Sequence, residues 1–194
     1  MTPIFITGPA LEPISLNEAK AWLKVDTSAD DALIAALILS ARIAVEQATR
    51  LQLITQSWRL VADHWPRRGR AEWRALAVPL ALSPVQAISS ITLYDQYDVA
   101  TIIDPATYRL DRSTALPRLI FSQLPPVPQR LFQGIAIELT AGFGDAPTSV
   151  PEPLRQAIKL LISHYYVNRG DVNAPMPVMV QALIGPFRRL KVAA

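Results

Sequence analysis

Histidine and carboxylate side chains are the residues of this sequence that could support acid–base or metal chemistry. The chain has only two histidines, His64 and His164, and no cysteine, so a zinc site would need carboxylates, and no nearby spacing supplies them. Asp63 precedes His64, but no G-x-S-x-G segment is present to expose a serine nucleophile. His164 lies in an apolar helical segment, where a packed, hydrogen-bonded histidine is the favoured interpretation. Neither histidine therefore indicates a catalytic set.

Three aspartates in the middle of the chain raise the question of a cation site. Asp95, Asp98 and Asp104 flank Tyr94 and Tyr97 in a loop-like stretch. Their spacing lacks the order of a calcium-binding loop, so a solvated turn is the better interpretation. No glycine-rich phosphate-binding loop with a lysine occurs in the sequence. We therefore predict no catalytic residue, no metal and no cofactor, and a protein that is not an enzyme.

A basic stretch is the candidate for contact with DNA or a partner. Its four arginines are Arg67, Arg68, Arg70 and Arg74. They alternate with Trp65 and Trp73, and interleaved basic and aromatic side chains are typical of nucleic-acid surfaces. A hairpin tip, with solvated arginines and with tryptophans packed on a sheet, explains the same residues and is the favoured interpretation.

Composition sets the class of protein. The chain has 194 residues, of which 51% are hydrophobic and 18% charged, as expected of a folded domain with a core. The formal net charge of +3 permits an acidic partner or nucleic acid, although an ordinary solvated surface explains it equally well. The absence of cysteine permits a reducing cytoplasm. We expect no membrane contact, because we find no apolar run long enough to cross a bilayer and no signal peptide.

Two capping boxes predict the first two helices. Ser15 and Ser28 each precede an acidic residue by three positions, a spacing typical of helix N-termini. They predict helices over residues 15–25 and 30–50. We expect the first helix to direct these side chains inward: Leu16, Ala19, Trp22 and Leu23.

Two apolar stripes predict that the helices form a bundle. The helix over 30–50 carries Ile34, Leu37, Ile38, Ala41, Val45 and Ala48 on one side. We expect Arg42, Glu46 and Arg50 to lie outside this stripe. A third helix, over 151–169, carries Leu154, Ala157, Ile158, Leu161, Ile162 and Tyr165 at helical spacing. It is apolar over much of its remaining circumference too, which is typical of a helix covered on two sides.

Between these helices the composition changes to that of β-strands. The two-residue alternation is clearest at Ile135, Ile137 and Leu139. The other strand-like runs lie at 53–63, 75–80, 88–94, 107–110 and 119–122, and the prolines Pro125, Pro126 and Pro128 mark a loop. We therefore predict an α+β fold: a small α-helical bundle with three main helices, at 15–50 and 151–169, an inserted antiparallel β region at 53–141, and extended arms at 1–14 and at the C-terminus.

Two segments carry a family resemblance. The first begins with A-G-F-G-D at residue 141 and continues with V-P-E-P-L-R-Q-A-I-K-L-L-I-S-H-Y-Y-V-N-R from residue 150; the second contains E-P-I-S-L-N-E-A-K from residue 12 and D-D-A-L-I from residue 30. They resemble the head-tail connector, or adaptor, proteins of long-tailed bacteriophages and gene transfer agents. The resemblance implies a virion structural subunit that forms a ring, commonly twelvefold, between the portal protein and the tail or its stopper. DNA would pass through the lumen without sequence-specific contact, and the particle would assemble in the host cytoplasm.

The end of the chain predicts a docking arm. We expect a single connector domain over 1–170, followed by a C-terminal arm over 171–194, because Pro175 and Pro177 prevent continuation of the helix. The run A-L-I-G-P-F-R-R from residue 182 is similar to the ending of these connectors. The candidate portal-binding residues are Val180, Leu183, Ile184, Phe187, Arg188, Arg189 and Lys191. A tail folded back on its own bundle is the alternative.

A small basic DNA-binding module is the alternative function. It would depend on the arginine cluster and the basic tail, but the sequence has no recognisable helix-turn-helix, RRM or OB pattern. A dedicated DNA-binding protein should show a steep dependence of affinity on salt concentration, and a connector should not.

Overall fold

The chain forms two compact units. The computed structural model describes residues 1–66, 77–114, 116–168 and 175–189. The first unit, here called the β unit, comprises residues 1–8 and 55–142, and the second, the helical unit, begins at residue 9, runs to residue 54 and resumes at residue 143. The chain thus leaves the β unit after its first strand and returns to it after two helices.

The described part of the β unit contains two antiparallel sheets. Its strands are β1 (Thr2–Thr7), β2 (Gln56–Ala62), β3 (Ala77–Pro79), β4 (Val85–Tyr94), β5 (Ala100–Ile102), β6 (Tyr108–Asp111), β7 (Arg118–Phe121) and β8 (Ile135–Ala141). The larger sheet has the order β1-β2-β8-β4-β5 and the smaller sheet the order β3-β7-β6. The predicted α+β fold with an antiparallel β insertion is confirmed.

The core of the β unit follows the alternation predicted for β8. Ile135, Ile137 and Leu139 are at most 1% exposed, and they pack with apolar residues of β2, β4 and β7. β8 lies between β2 and β4 in the sheet, so both of its edges are hydrogen-bonded. This central position makes the alternation of β8 the clearest strand signal in the sequence.

The first residues form a strand, which corrects the expected N-terminal arm. β1 pairs antiparallel with β2, from Thr2 opposite Val61 to Thr7 opposite Ser57. All six of its residues remain exposed, so the segment has no buried alternation from which a strand could be predicted. Its partner lies about fifty residues further along the chain, and only tertiary structure brings the two together.

In its described residues, the helical unit contains four α-helices. They are α1 (Leu16–Leu23), α2 (Asp31–Thr49), α3 (Glu152–Val167) and α4 (Val178–Ile184). The predicted bundle is confirmed for the first three, because Ile38, Ala41, Ile158 and Leu161 belong to one buried core. The fourth helix was not predicted.

One of the two predicted capping boxes is present. The Ser15 hydroxyl accepts a hydrogen bond from the Glu18 N–H (3.2 Å), and the Glu18 carboxylate accepts one from the Ser15 N–H (3.4 Å). Ser28 does not cap α2: Asp30 is the N-cap residue, without a side-chain cap hydrogen bond. The Asp30 carboxylate instead accepts a hydrogen bond from the Tyr166 hydroxyl of α3, so a tertiary contact replaces the local cap.

Two side chains of the bundle lie where the sequence did not predict them. Trp22 is 41% exposed, and its indole N–H donates to the Ser163 hydroxyl (2.7 Å). Arg42, expected outside the apolar stripe, is only 6% exposed. Both corrections have the same physical reason, since a hydrogen-bonding partner from a distant segment decides where a polar group can be placed.

By length and composition alone, α2 is long and apolar enough to cross a membrane, contrary to our expectation that no such run exists. In the helical unit it packs against α1, α3 and α4. Its buried residues Ile34, Ile38, Ala41 and Val45 are part of the core. The helix therefore has packing partners within its own unit.

Candidate interaction surfaces

The C-terminal segment is part of the helical core, which corrects the expectation of an arm without local structure. Val180 and Ile184 of α4 are fully buried and belong to the same core as α2 and α3. Pro177, which we expected only to end a helix, is the N-cap residue of α4. Apolar residues four positions apart then lie on one face of a short helix, and this face covers α3. The alternative of a tail folded back on its own bundle describes these residues correctly.

The residues after α4 are also attached to the helical unit. The Arg189 N–H donates to the Thr49 carbonyl at the end of α2 (3.2 Å), and partial burial lowers the pKa of the Arg189 guanidinium. Leu183 and Phe187 pack against the core, whereas Arg188 is exposed. Of the candidate portal-binding side chains that the structure describes, Arg188 is thus the most accessible.

The opposite face of α4 is exposed and was not predicted as a site. Val178 is 81% exposed and Met179 is 65% exposed. Lys191 and all four arginines of the candidate DNA or partner contact, Arg67, Arg68, Arg70 and Arg74, lie outside the described residues. The portal-binding role of the tail therefore stays a prediction.

The three aspartates of the middle region organise turns. The Asp95 carboxylate accepts hydrogen bonds from the N–H groups of Tyr97 (2.8 Å) and Val99 (2.9 Å). Asp98 forms an ion pair with Arg130 (3.2 Å), and Asp104 accepts from the Ala106 N–H (2.9 Å) at the start of a 3-10 turn. In the part of the chain that the structure describes, no group of three or more His, Asp or Glu side chains is placed to hold a metal ion.

Among the residues that the structure describes, neither histidine joins a catalytic arrangement. Asp63 accepts a hydrogen bond from the Gln133 N–H (2.7 Å), so its carboxylate fixes the loop before β8, and His64 is exposed. His164 Nδ1 lies 3.1 Å from the Asn168 amide nitrogen on the same helix. Its Nε2 is buried without a hydrogen-bond partner among the described residues. His164 is thus a packed side chain of α3.

Two arginines fix the connecting segments of the helical unit. Arg42 forms ion pairs with Glu12 (2.8 Å) and Glu46 (2.7 Å), and the Glu46 carboxylate also accepts from the Leu53 N–H (2.9 Å). Residues before α1 and after α2 are thereby attached to α2. Charge-assisted hydrogen bonds of this kind are stronger than neutral ones.

Arg155 of α3 also connects several segments of the helical unit. Its guanidinium binds Glu18 (2.7 Å) and Glu152 (2.8 Å) and donates to the Pro13 carbonyl (3.2 Å). One side chain therefore connects α3, α1 and the segment that precedes α1. Arg42 and Arg155 therefore both connect segments within the helical unit.

The β unit exposes an apolar surface beside β5 that sequence reasoning missed. We call it the β5-edge surface; it consists of Ile102, Leu124 and Val127, which are 66% to 75% exposed. A cleft of about 450 Å³ runs between β5 and the loop at 123–129, with Ile102, Leu124 and Val127 among its lining residues. The large apolar residues of this proline-rich segment were the signal for such a surface in the sequence. We interpreted the segment only as a loop.

The loop that carries much of this surface is held firmly in place. The N–H groups of Gln129 and Arg130 both donate to the Tyr94 carbonyl (3.2 Å each). The Trp65 indole N–H donates to the Pro126 carbonyl (2.7 Å). The Arg130 guanidinium lies over the rings of Tyr94 (5.4 Å) and Phe132 (5.1 Å). Such attachment lets apolar side chains stay exposed without collapsing onto the sheet.

Comparison with known proteins places this chain beside subunits of phage-like particles. No protein-family model and no curated protein matches the sequence. Among solved structures, a chain in the neck of an empty gene transfer agent particle, computed with C6 symmetry, is 30% identical with a TM-score of 0.84; a chain in the virion of a native gene transfer agent particle is 29% identical with a TM-score of 0.83. A chain in the neck of a native particle, computed with C12 symmetry, is 29% identical with a TM-score of 0.81.

The similarity extends over whole chains. Each match covers 100% of this chain and 98% of the other, so both units, and not one of them alone, are shared. At this identity and coverage, the chain belongs to the same protein family as these subunits of gene transfer agent particles.

Proposed function

We propose that this protein is a structural connector subunit at the head–tail junction of a gene transfer agent or related phage-like particle. The observation that carries the proposal is the match over the full length of both units to chains from gene transfer agent necks. In this role the subunit forms a ring between the portal protein and the tail or its stopper. DNA passes through the lumen without sequence-specific contact, and the role is structural, not catalytic.

Labelled particles test this function directly. The subunit would carry a short epitope tag, and electron microscopy with an antibody would locate it in purified particles. We expect label at the junction of head and tail. Label on the capsid shell, along the tail tube or on no particle would contradict the proposal, and an untagged strain controls for non-specific antibody binding.

We propose further that the portal contact uses the side of the C-terminal segment that the helical unit leaves exposed. Val180 and Ile184 already pack in the core, so they hold α4 in place, while Val178, Met179 and Arg188 remain available. Apolar side chains would supply affinity, and the basic side chain would favour an acidic rim and increase the association rate. Met179→Asp should abolish attachment to filled heads and leave the fold intact, whereas Gln181→Asp, another exposed position of α4, should have little effect.

The ring is expected to form on the portal. An isolated subunit should be a monomer or a weak oligomer in mass photometry, because its contacts with neighbours are completed only when several copies bind one template. A stable closed ring of the purified chain alone would contradict this expectation.

A further inference from the structure

The two edges of the larger sheet differ in sequence but share one property. β1 and β5 are its outermost strands, and within the described residues neither has a further strand partner. Both edges carry exposed apolar side chains, Ile4, Phe5 and Ile6 on β1 and Ile102 on β5. Free strand edges with exposed apolar side chains usually mark an interaction site or a risk of aggregation.

The strand β1 and the loop at 123–132 are also poor in charge. The six residues of β1, T-P-I-F-I-T, include no charged side chain. The one charged side chain in the loop at 123–132 is Arg130, which is paired with Asp98 (3.2 Å). Depletion of charged residues is the compositional mark of the centre of a protein–protein interface. β1 and the loop at 123–132 therefore have the composition of an interface centre, while Asp95 and Asp104 add acidic side chains to the lining of the cleft at the β5 edge.

A ring needs two such surfaces of different shape on each subunit. In a closed ring, one face of every copy contacts a different face of the next. Opposite edges of one sheet satisfy this requirement, because a strand edge with projecting side chains lies at one end and a cleft of about 450 Å³ at the other. Phe5 is 54% exposed and contacts only one edge-to-face aromatic partner, Trp58, at 5.2 Å among the described rings.

We propose that neighbouring subunits of the ring join through these edges, with β1 of one copy docked at the β5-edge surface of the next. The proposal rests on the connector function and adds the surfaces that build the ring. Pro3 lacks an N–H, which limits hydrogen bonding along the edge of β1 and disfavours indiscriminate strand pairing. The contact therefore depends mainly on side chains. Because the loop at 123–132 is already held in place, binding costs it little conformational entropy.

Engineered cysteines test the contact in the particle. Since the chain has no cysteine, a variant with Ile4→Cys and Ile102→Cys would have only these two thiols, and it would replace the native subunit in particle-producing cells. After oxidation, or with a short bismaleimide, we expect a ladder of covalent multimers on a denaturing gel. Each single variant should give none, and Ile4→Cys with Ala87→Cys, an exposed position on the inner strand β4, serves as the matched control.

The outcomes separate this proposal from the connector function. Particles that contain the double variant at the junction without a ladder, or an equal ladder from the control pair, would overturn the edge contact and leave the connector function standing. Absence of even the wild-type subunit from the junction would contradict the connector function itself.

A second variant tests the proposal in case the double-cysteine subunit is not incorporated into particles. Ile102→Asp should prevent incorporation while the purified chain keeps its circular dichroism spectrum and Tm, and Ala87→Asp should be incorporated normally. Normal incorporation of Ile102→Asp would overturn the proposal.

Discussion

The helical unit and the β unit differ in how their apolar side chains are exposed and how their charged side chains are paired. The helical unit uses its ion pairs to join its own segments, as Arg42 and Arg155 do, and its core includes the last helix of the chain. The β unit completes a core as well, but it leaves apolar side chains exposed along both edges of its larger sheet and on a held loop. The helical unit thus combines buried charged connections with an exposed apolar patch at Val178 and Met179, whereas the β unit exposes apolar side chains along its strand edges.

The largest expected effect tests whether α4 belongs to the helical core. Deletion of residues 178–194 removes two fully buried side chains, Val180 and Ile184, each of which contributes about 1.5 to 3 kcal/mol by burial. We expect the free energy of unfolding to fall by about 3 to 6 kcal/mol in urea titration. This reverses the expectation from sequence that residues 171–194 form an arm outside the folded domain. An unchanged free energy of unfolding would mean that α4 is not a packed element, and Met179→Ala is the control.

The second prediction tests whether α3 is buried in the core of the helical unit. Leu161 is fully buried, so Leu161→Ala should cost about 2 to 5 kcal/mol of unfolding free energy through lost contacts and a cavity. Leu39→Ala removes the same atoms at a position that is 43% exposed and should cost much less. Equal losses in denaturant titrations of the two variants would contradict the burial assigned to α3.

A pair of charge variants compares the two units directly. Arg42→Ala removes the cation that pairs with Glu46, whose side chain is 10% exposed, and with Glu12, whose side chain is 30% exposed. We expect the free energy of unfolding to fall by about 3 kcal/mol, which is the low end for breaking a buried ion pair because Glu12 is partly exposed. Arg59→Ala in the β unit breaks the pair with Glu138, in which both side chains are more than 40% exposed. That loss should be below about 1 kcal/mol. Similar losses in thermal and urea unfolding would remove the contrast between internal and surface pairing.

The smallest effect concerns a hairpin of the β unit. Hydrogen bonds from the Ser113 hydroxyl and N–H, followed by the contact with Arg118, lower the pKa of Asp111 from 3.8 to about 2. Because the folded-state pKa is lowered, the stabilisation is complete above the unfolded pKa and is lost as pH falls through about 2. Asp111→Ala should therefore be slightly less stable than the wild type at pH 5, with the difference fading towards pH 2. A difference that persists or grows at low pH would contradict this assignment.

Local patterns were sufficient for much of the fold. Ser15 and Glu18, three residues apart, form their capping box from local contacts alone, although the same spacing at Ser28 and Asp31 gives none. The stripes of α2 and α3 and the alternation of β8 are equally local. The edges of the sheet are different: β1 is exposed along its whole length and β5 has only three residues, so neither contains a burial pattern to detect.

The candidate sites depended more strongly on tertiary structure. Apolar residues at 180 and 184 indicated a surface in need of a partner, but a sequence does not show that the partner is the chain's own α3. Likewise, the apolar loop at 123–132 is anchored by hydrogen bonds to the Tyr94 carbonyl and from the Trp65 indole, contacts that its own sequence does not indicate.

By itself, the sequence determined the α+β class, three of the helices, the antiparallel insertion and the resemblance to connectors, because capping, periodicity and turn chemistry act over a few residues. Tertiary structure alone decided that α4 folds onto the bundle, that Arg42 is buried between Glu12 and Glu46, and that β1 and β5 are opposite edges of one sheet. Each of these features depends on groups that are distant along the chain. Their free energy comes from burial and pairing, which exist only once the fold has brought those groups together.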